Sequence, residues 1–118
     1  MKYMPLIYMD ENGLSASERE HCHNESAQYA QNLSSSGQYL DTAPLHPTST
    51  ATSVRVRDGK QLITDGPFAE TREQLGGYFL IDAKNPDEAI NIAKKIPGGR
   101  WGTIEIRPVM EIQGLPTD

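Results

Sequence analysis

Apolar and polar positions along this chain change period several times, and each change marks an element. Residues 2–9, KYMPLIYM, read as a first strand, with Pro5 inside it although proline offers no ladder donor. DENG at 10–13 marks a turn. Ser15 and Glu18 stand at the S-x-x-E spacing of a capping box, which predicts a helix running to about Ser35 with Gly37 as its stop. Its apolar face is thin: Cys22, Ala27, Ala30 and Leu33, with Tyr29 beside them. Residues 38–53, rich in Thr, Ser and Pro, read as a loop or irregular strand. SVRVRDGKQLIT places Asp58-Gly59 between two strand-like runs, the signature of a hairpin on a type I′ turn.

The second half is more regular. Tyr78 to Asp82 form an apolar strand. Asn85 and Pro86 supply an N-cap and a first-turn proline. Ala89, Ile92, Ala93 and Ile96 then recur at helical spacing, Lys94 and Lys95 suit the last turn, and Pro97-Gly98-Gly99 ends the helix. From Thr103 to Met110 the chain alternates, with Ile104 and Ile106 on one face and Glu105 and Arg107 on the other. The order is β, α, β-hairpin, β, α, β. Two helices cannot cover both faces of a four- or five-stranded sheet, so an α+β layer pair with both helices on one face follows. With Arg55, Arg57, Glu105 and Arg107 on the opposite face, that face is partly polar and still needs a roof. A homodimer enclosing a wet cleft would provide one.

Composition narrows the partners. The chain has 118 residues, enough for one domain, and a net charge of −5. That balance argues against nucleic acid and against an anionic membrane surface. No apolar run approaches the roughly 20 residues of a membrane helix, and the start is too short and too quickly polar for a signal peptide. Cys22 is the sole cysteine, so no intrachain disulfide forms. A cytoplasmic protein is expected.

MKYMPLIY, TATSVRVRDGK, TDGPFAETREQLGGYFLID and GTIEIRPVM resemble the DGPF proteins of the YCII-related family, from Met1 to about Met110. The resemblance implies a single ferredoxin-like domain that dimerises through its sheets, as in dimeric α+β barrels. It also implies two functional directions. Some YCII-type relatives look like enzymes acting on ring compounds by elimination or dehalogenation, with a His–Asp pair. Genes of DGPF proteins often neighbour those of alternative sigma factors, which points instead to a non-catalytic ligand-binding or protein-interaction module in stress regulation. The YCII-type histidine lies in the first helix, and the matching position here is roughly Ser26, a departure from that pattern. Asp65 matches the aspartate better.

The candidate site residues centre on DGPFAETREQLGG, residues 65–77. Asp65 is read either as a general base, given burial beneath Phe68, or as a turn residue accepting backbone amides. Gly66 and Pro67 set a tight turn, and residues 71–74 suit a short helical turn. Glu70 and Arg72 offer charges to a polar or anionic ligand. Gly76-Gly77 allows close approach of a ligand or a neighbouring strand. His46, held between prolines in PLHP, is the candidate proton partner of Asp65, its alternative being a loop histidine without a role. Tyr78 and Arg107 are candidate cleft residues, and Trp101 is a further aromatic wall or a loop anchor.

In EHCH at 20–23, neighbours about 100° apart on a helix cannot converge on one ion. The stripe Glu18, His21, Cys22, Glu25 lacks partner carboxylates on other helices. It reads as a solvated face with Cys22 turned inward, and the thiol reads as a small apolar residue rather than a nucleophile. No metal or organic cofactor is expected. A haem-using barrel would need a histidine on a strand, and none is predicted there.

Overall fold

A computed structural model describes residues 1–116. The strands are β1 (Lys2–Met9), β2 (Tyr39–Pro44), β3 (Thr52–Arg57), β4 (Lys60–Asp65), β5 (Gln74–Asp82) and β6 (Gly102–Pro108). The helices are α1 (Ala16–Ser35) and α2 (Pro86–Ala93), with 3-10 turns at Thr48–Thr50 and Pro97–Arg100. Four strands form an antiparallel sheet in the order β2-β5-β1-β6, and β3 and β4 pair only with each other. This is the expected ferredoxin-like α+β architecture.

The helix signals hold in detail. Ser15 Oγ accepts from the Glu18 amide at 3.1 Å while the Glu18 carboxylate accepts from the Ser15 amide at 2.9 Å. Those two bonds hold the Glu18 carboxyl below its ordinary range. At the other end the Gln38 amide donates to Leu33 O and the Gly37 amide to Ser34 O, a Schellman closure that needs the positive φ of Gly37 (77°). Asn85 caps α2 through the Glu88 amide.

One face of the sheet is core. Tyr3, Ile7, Phe79 and Ile81 pack against Leu33 of α1, Ala89, Ile92 and Ala93 of α2, and Ile96 just beyond it. Among the described residues no buried side chain is polar. Pro5 is fully buried in the central strand. It is tolerated because the β1–β5 ladder pairs Tyr3 with Ile81 and Leu6 with Tyr78 and skips the two residues between.

Of the two readings of the stretch after Gly37, the irregular strand holds: β2 pairs with β5 as a sheet edge, with a register shift between Tyr39 and Asp41. Three expectations need correction. The strand expected from Tyr78 opens at Gln74, so residues 71–74 make no helical turn; Thr71 Oγ1 instead bonds Glu73 O at 2.7 Å. Arg55 and Arg57 do not join Glu105 and Arg107 on the sheet, because their hairpin is a separate ribbon. Phe68 does not bury Asp65, since it is itself 80% exposed. The radius of gyration, 16.1 Å, exceeds the roughly 13–14 Å of a compact chain this long, as a projecting ribbon requires.

Candidate functional site

Two adjoining hollows lie on the helix side of the sheet, between α1 and the β2–β5 edge. The inner one, about 210 Å³, is lined by Ile7, Met9, Ala43, Phe79 and Gly77, with Cys22, His23 and Ser26 from α1. The outer one, about 200 Å³, shares Met9, Cys22, His23 and Gly76 with it and adds Glu11, Arg19 and His46. Together they make one cleft with an apolar inner end and a mouth bearing two imidazoles, a carboxylate and a guanidinium.

Local bonding fixes that mouth. The Glu11 carboxylate accepts from the Thr48 amide at 2.8 Å and from the Thr48 hydroxyl, which anchors the turn following His46. The Leu45 amide, just before His46, donates to Gly76 O at 2.9 Å. Arg19 donates to the Glu11 carbonyl at 3.0 Å, tying α1 to the same loop. His46 is therefore held on both sides by bonds as well as by its prolines. Cys22 is buried, and that desolvation pushes its thiol above the usual range despite a lowering bond from Ser26. It behaves as an apolar wall.

The DGPF loop lies apart from this cleft. Asp65 ends β4, exposed and paired with Thr52. It is not buried under Phe68, and the Gly66 amide donates to Ala51 O at 2.7 Å rather than to the Asp65 carboxylate. Gly66 has φ 97°, a turn conformation that only glycine adopts without strain, and its carbonyl accepts from Ser53 Oγ at 2.8 Å. Gly66, Pro67, Glu70 and Arg72 line a shallow polar hollow together with Asp10, Glu11 and Thr48. There the exposed Arg72 places Nε 3.6 Å from Oδ2 of the half-buried Asp10.

His46 lines the mouth of the cleft, whereas Asp65 lines neither half of it. Tyr78 and Arg107 lie on the open face of the sheet, by register with Leu6 and Met4. Tyr78 donates to Asp41 Oδ2 at 2.7 Å, a bond that raises its phenol pKa. Trp101 anchors its loop, with the Arg100 guanidinium 4.8 Å over its ring.

His23 is the residue that sequence reasoning missed. Reading EHCH only as a metal motif obscured its position. His23 precedes Ser26, Ala27 and Ala30 at helical spacing, and so flanks the stripe that faces the sheet. His21, on the outer side, pairs with Glu25 at 2.6 Å.

A four-stranded antiparallel sheet backed by two helices is the ferredoxin-like α+β fold. The model of the YCII-related domain matches residues 1–113, and the chain belongs to that family. An uncharacterised protein of Rhizobium meliloti (strain 1021) is 36% identical over 118 residues, covering 92% of each chain. Among solved structures, the 5-chloro-2-hydroxyhydroquinone dehydrochlorinase TftG of Burkholderia phenoliruptrix AC1100, in complex with 2,5-dihydroxybenzoquinone, is similar in fold. Its TM-score is 0.57 at 11% identity, over 96% of this chain and 97% of that one.

Proposed function

We propose that this chain is a small-molecule enzyme that performs acid–base chemistry on a ring compound held in the cleft between α1 and the β2–β5 edge. The observation that carries the reading is that His23 and His46, from a helix and a pinned loop, line one cleft that runs into an apolar hollow. Imidazoles transfer protons near neutral pH. A cavity of roughly 150 Å³ already takes a benzene-sized ring, so the inner hollow of about 210 Å³ is large enough. In this reading His46 and His23 exchange protons with ring substituents, while Arg19 and Glu11 orient oxygens at the mouth. The ligand carried by TftG, a dihydroxybenzoquinone, supports a hydroxylated ring as the class to try first. A cytoplasmic homodimer belongs to the same reading, supported by the uncovered open face of the sheet and the single free thiol.

The test is a panel of hydroxylated benzoquinones and hydroquinones, followed by thermal shift and by ligand-observed NMR. A ring that binds the wild type, with turnover lost in both His46→Gln and His23→Gln, is the expected result. Failure of every ring to bind would sink it. The second reading is a non-catalytic interaction module, with the DGPF loop (Asp65, Gly66, Pro67, Phe68, Glu70, Arg72) as its docking surface. The exposure of Phe68 at the head of that loop favours it.

A further inference from the structure

The two halves of the cleft meet at Met9, Cys22, His23 and Gly76, which line both of them. Met9 and Gly76 come from the sheet, Cys22 and His23 from α1. Whatever passes from the mouth to the apolar end crosses Gly76 and Met9 on one side and the helix on the other.

Gly76 is a glycine that the fold itself does not require. The β1–β5 ladder passes from Ile7–Gly77 to Tyr8–Leu75, so Gly76 is the extra residue of a bulge, a device common beside active sites. Its φ lies outside the left-handed region, so other residues can adopt its backbone. Its carbonyl accepts from the Leu45 amide at 2.9 Å, a bond that any residue offers. Packing does not demand glycine either. A Cβ at position 76 would meet the Met9 methyl at 3.5 Å and the Ile7 carbonyl oxygen at 3.8 Å, both ordinary contacts. At Gly77, by contrast, the backbone of β2 stands in the way. Glycine weakens a strand interior and marks a bulge, a bend, or the close approach of a backbone or a ligand. Here the bulge has an ordinary conformation and no backbone crowds it, which leaves the ligand.

We propose that Gly76 is a specificity-determining residue of the cleft, an inference that rests on the cleft being the ligand site. The side chain it lacks is the opening between mouth and inner hollow. Met9, whose unbranched thioether changes rotamer readily, is the movable wall of that opening. A single ring takes up much of the inner hollow of about 210 Å³, given that roughly 150 Å³ already holds benzene. A second fused ring would have to stay in the opening, against Met9. The opening therefore admits single rings and refuses fused pairs.

The test uses benzene and naphthalene, which need neither turnover nor a polar partner. The methyl groups of Ile7, Ala27 and Ala43 line the inner hollow only, and their NMR shifts report its filling. Benzene should shift them in the wild type. Gly76→Val puts methyl groups in the opening and should weaken benzene binding about 10-fold, a typical effect of overpacking. Gly76→Ala should give a smaller loss in the same direction, and is read alone if the valine variant does not fold. Met9→Ala should do the reverse and let naphthalene shift the same methyl groups, which it should not do in the wild type. Benzene that leaves the wild-type methyls unmoved, benzene that binds the Gly76 variants as tightly as the wild type, or naphthalene that enters the wild type as readily as Met9→Ala would each overturn the proposal. A wild type that takes benzene, loses it in the Gly76 variants and binds no hydroxylated ring would support the opening while sinking the acid–base chemistry, so the two fail separately.

Discussion

Gly77 of β5 lies so close to β2 that a Cβ placed on it would sit 2.9 Å from the carbonyl oxygen of Ala43 and 3.3 Å from Cα of Pro44. The Gly-Gly pair thus serves, at Gly77, the approach of a neighbouring strand. Both contacts are backbone and cannot swing away. Gly77→Ala should push the β2 edge outward and cost about 1–3 kcal/mol, as overpacking does. Gly76→Ala is the control, since its Cβ would meet the Met9 methyl at an ordinary 3.5 Å. Urea unfolding should show a clear drop in midpoint for the first variant and a small change for the second.

Tyr29 ties the two helices together. Its hydroxyl donates to the carbonyl of Ile92 at 2.7 Å, near the C-terminal end of α2, and its ring packs tilted on Phe79 at 6.1 Å. Burial raises the phenol pKa, so the donor stays protonated well into alkali. Tyr29→Phe keeps the ring and removes the bond, and should cost about 1–2 kcal/mol in thermal or chemical unfolding. An unchanged stability would mean that water satisfies Ile92 equally well.

Cys22 should be slow to alkylate at neutral pH. Desolvation raises its thiol pKa, leaving little thiolate, and the side chain is almost wholly covered. Labelling with a thiol reagent should run far below the rate of a free cysteine and reach that rate in denaturant. Because Cys22 lines both halves of the cleft, a bound ligand should slow labelling further. Labelling as fast as a free thiol would show that the cleft opens readily.

Much of the fold was legible because local chemistry and tertiary structure agree. The Ser15–Glu18 box, the Asn85 cap and the Asp58-Gly59 turn are signals written within a few residues. Asp58 at φ 52° and Gly59 at φ 75° adopt the backbone that such a turn demands. The strand β2 was harder to see because it is an edge: its burial is patchy and it ends in Pro44, so no clean alternation marks it. The ribbon's separation from the sheet was hidden because a hairpin signal gives pairing between two strands but not what either face meets. The site was less legible still. The prolines around His46 stiffen a loop without saying what it lines, and His23 is set in the cleft by the rotation of α1 over the sheet, a tertiary quantity. Of the most conspicuous stretch of sequence, Asp65 to Arg72 shape a turn at the ribbon's base outside that cleft, and only the closing Gly76-Gly77 lines it.

Glu25 joins α1 to the turn that follows α2. Its Oε1 stands 2.7 Å from Nη2 of Arg100 in that turn, and it pairs with His21 on its own helix. The Arg100 bond is the chief reason that its carboxyl is held below the ordinary range, with the charges of Arg100 and His21 adding to it. A folded pKa below the unfolded value means that the folded state binds the proton less readily. The stabilisation is then complete above the ordinary carboxylate range and is lost as pH falls through the lowered value. Glu25→Gln should therefore lower the melting temperature near neutral pH and make no difference in strong acid, where the wild-type carboxyl is also protonated. Salt should shrink the effect, because the side chains are partly exposed. Melting curves of the two proteins from about pH 2 to pH 8 decide the matter: curves that run parallel throughout would show that the pair contributes packing rather than charge.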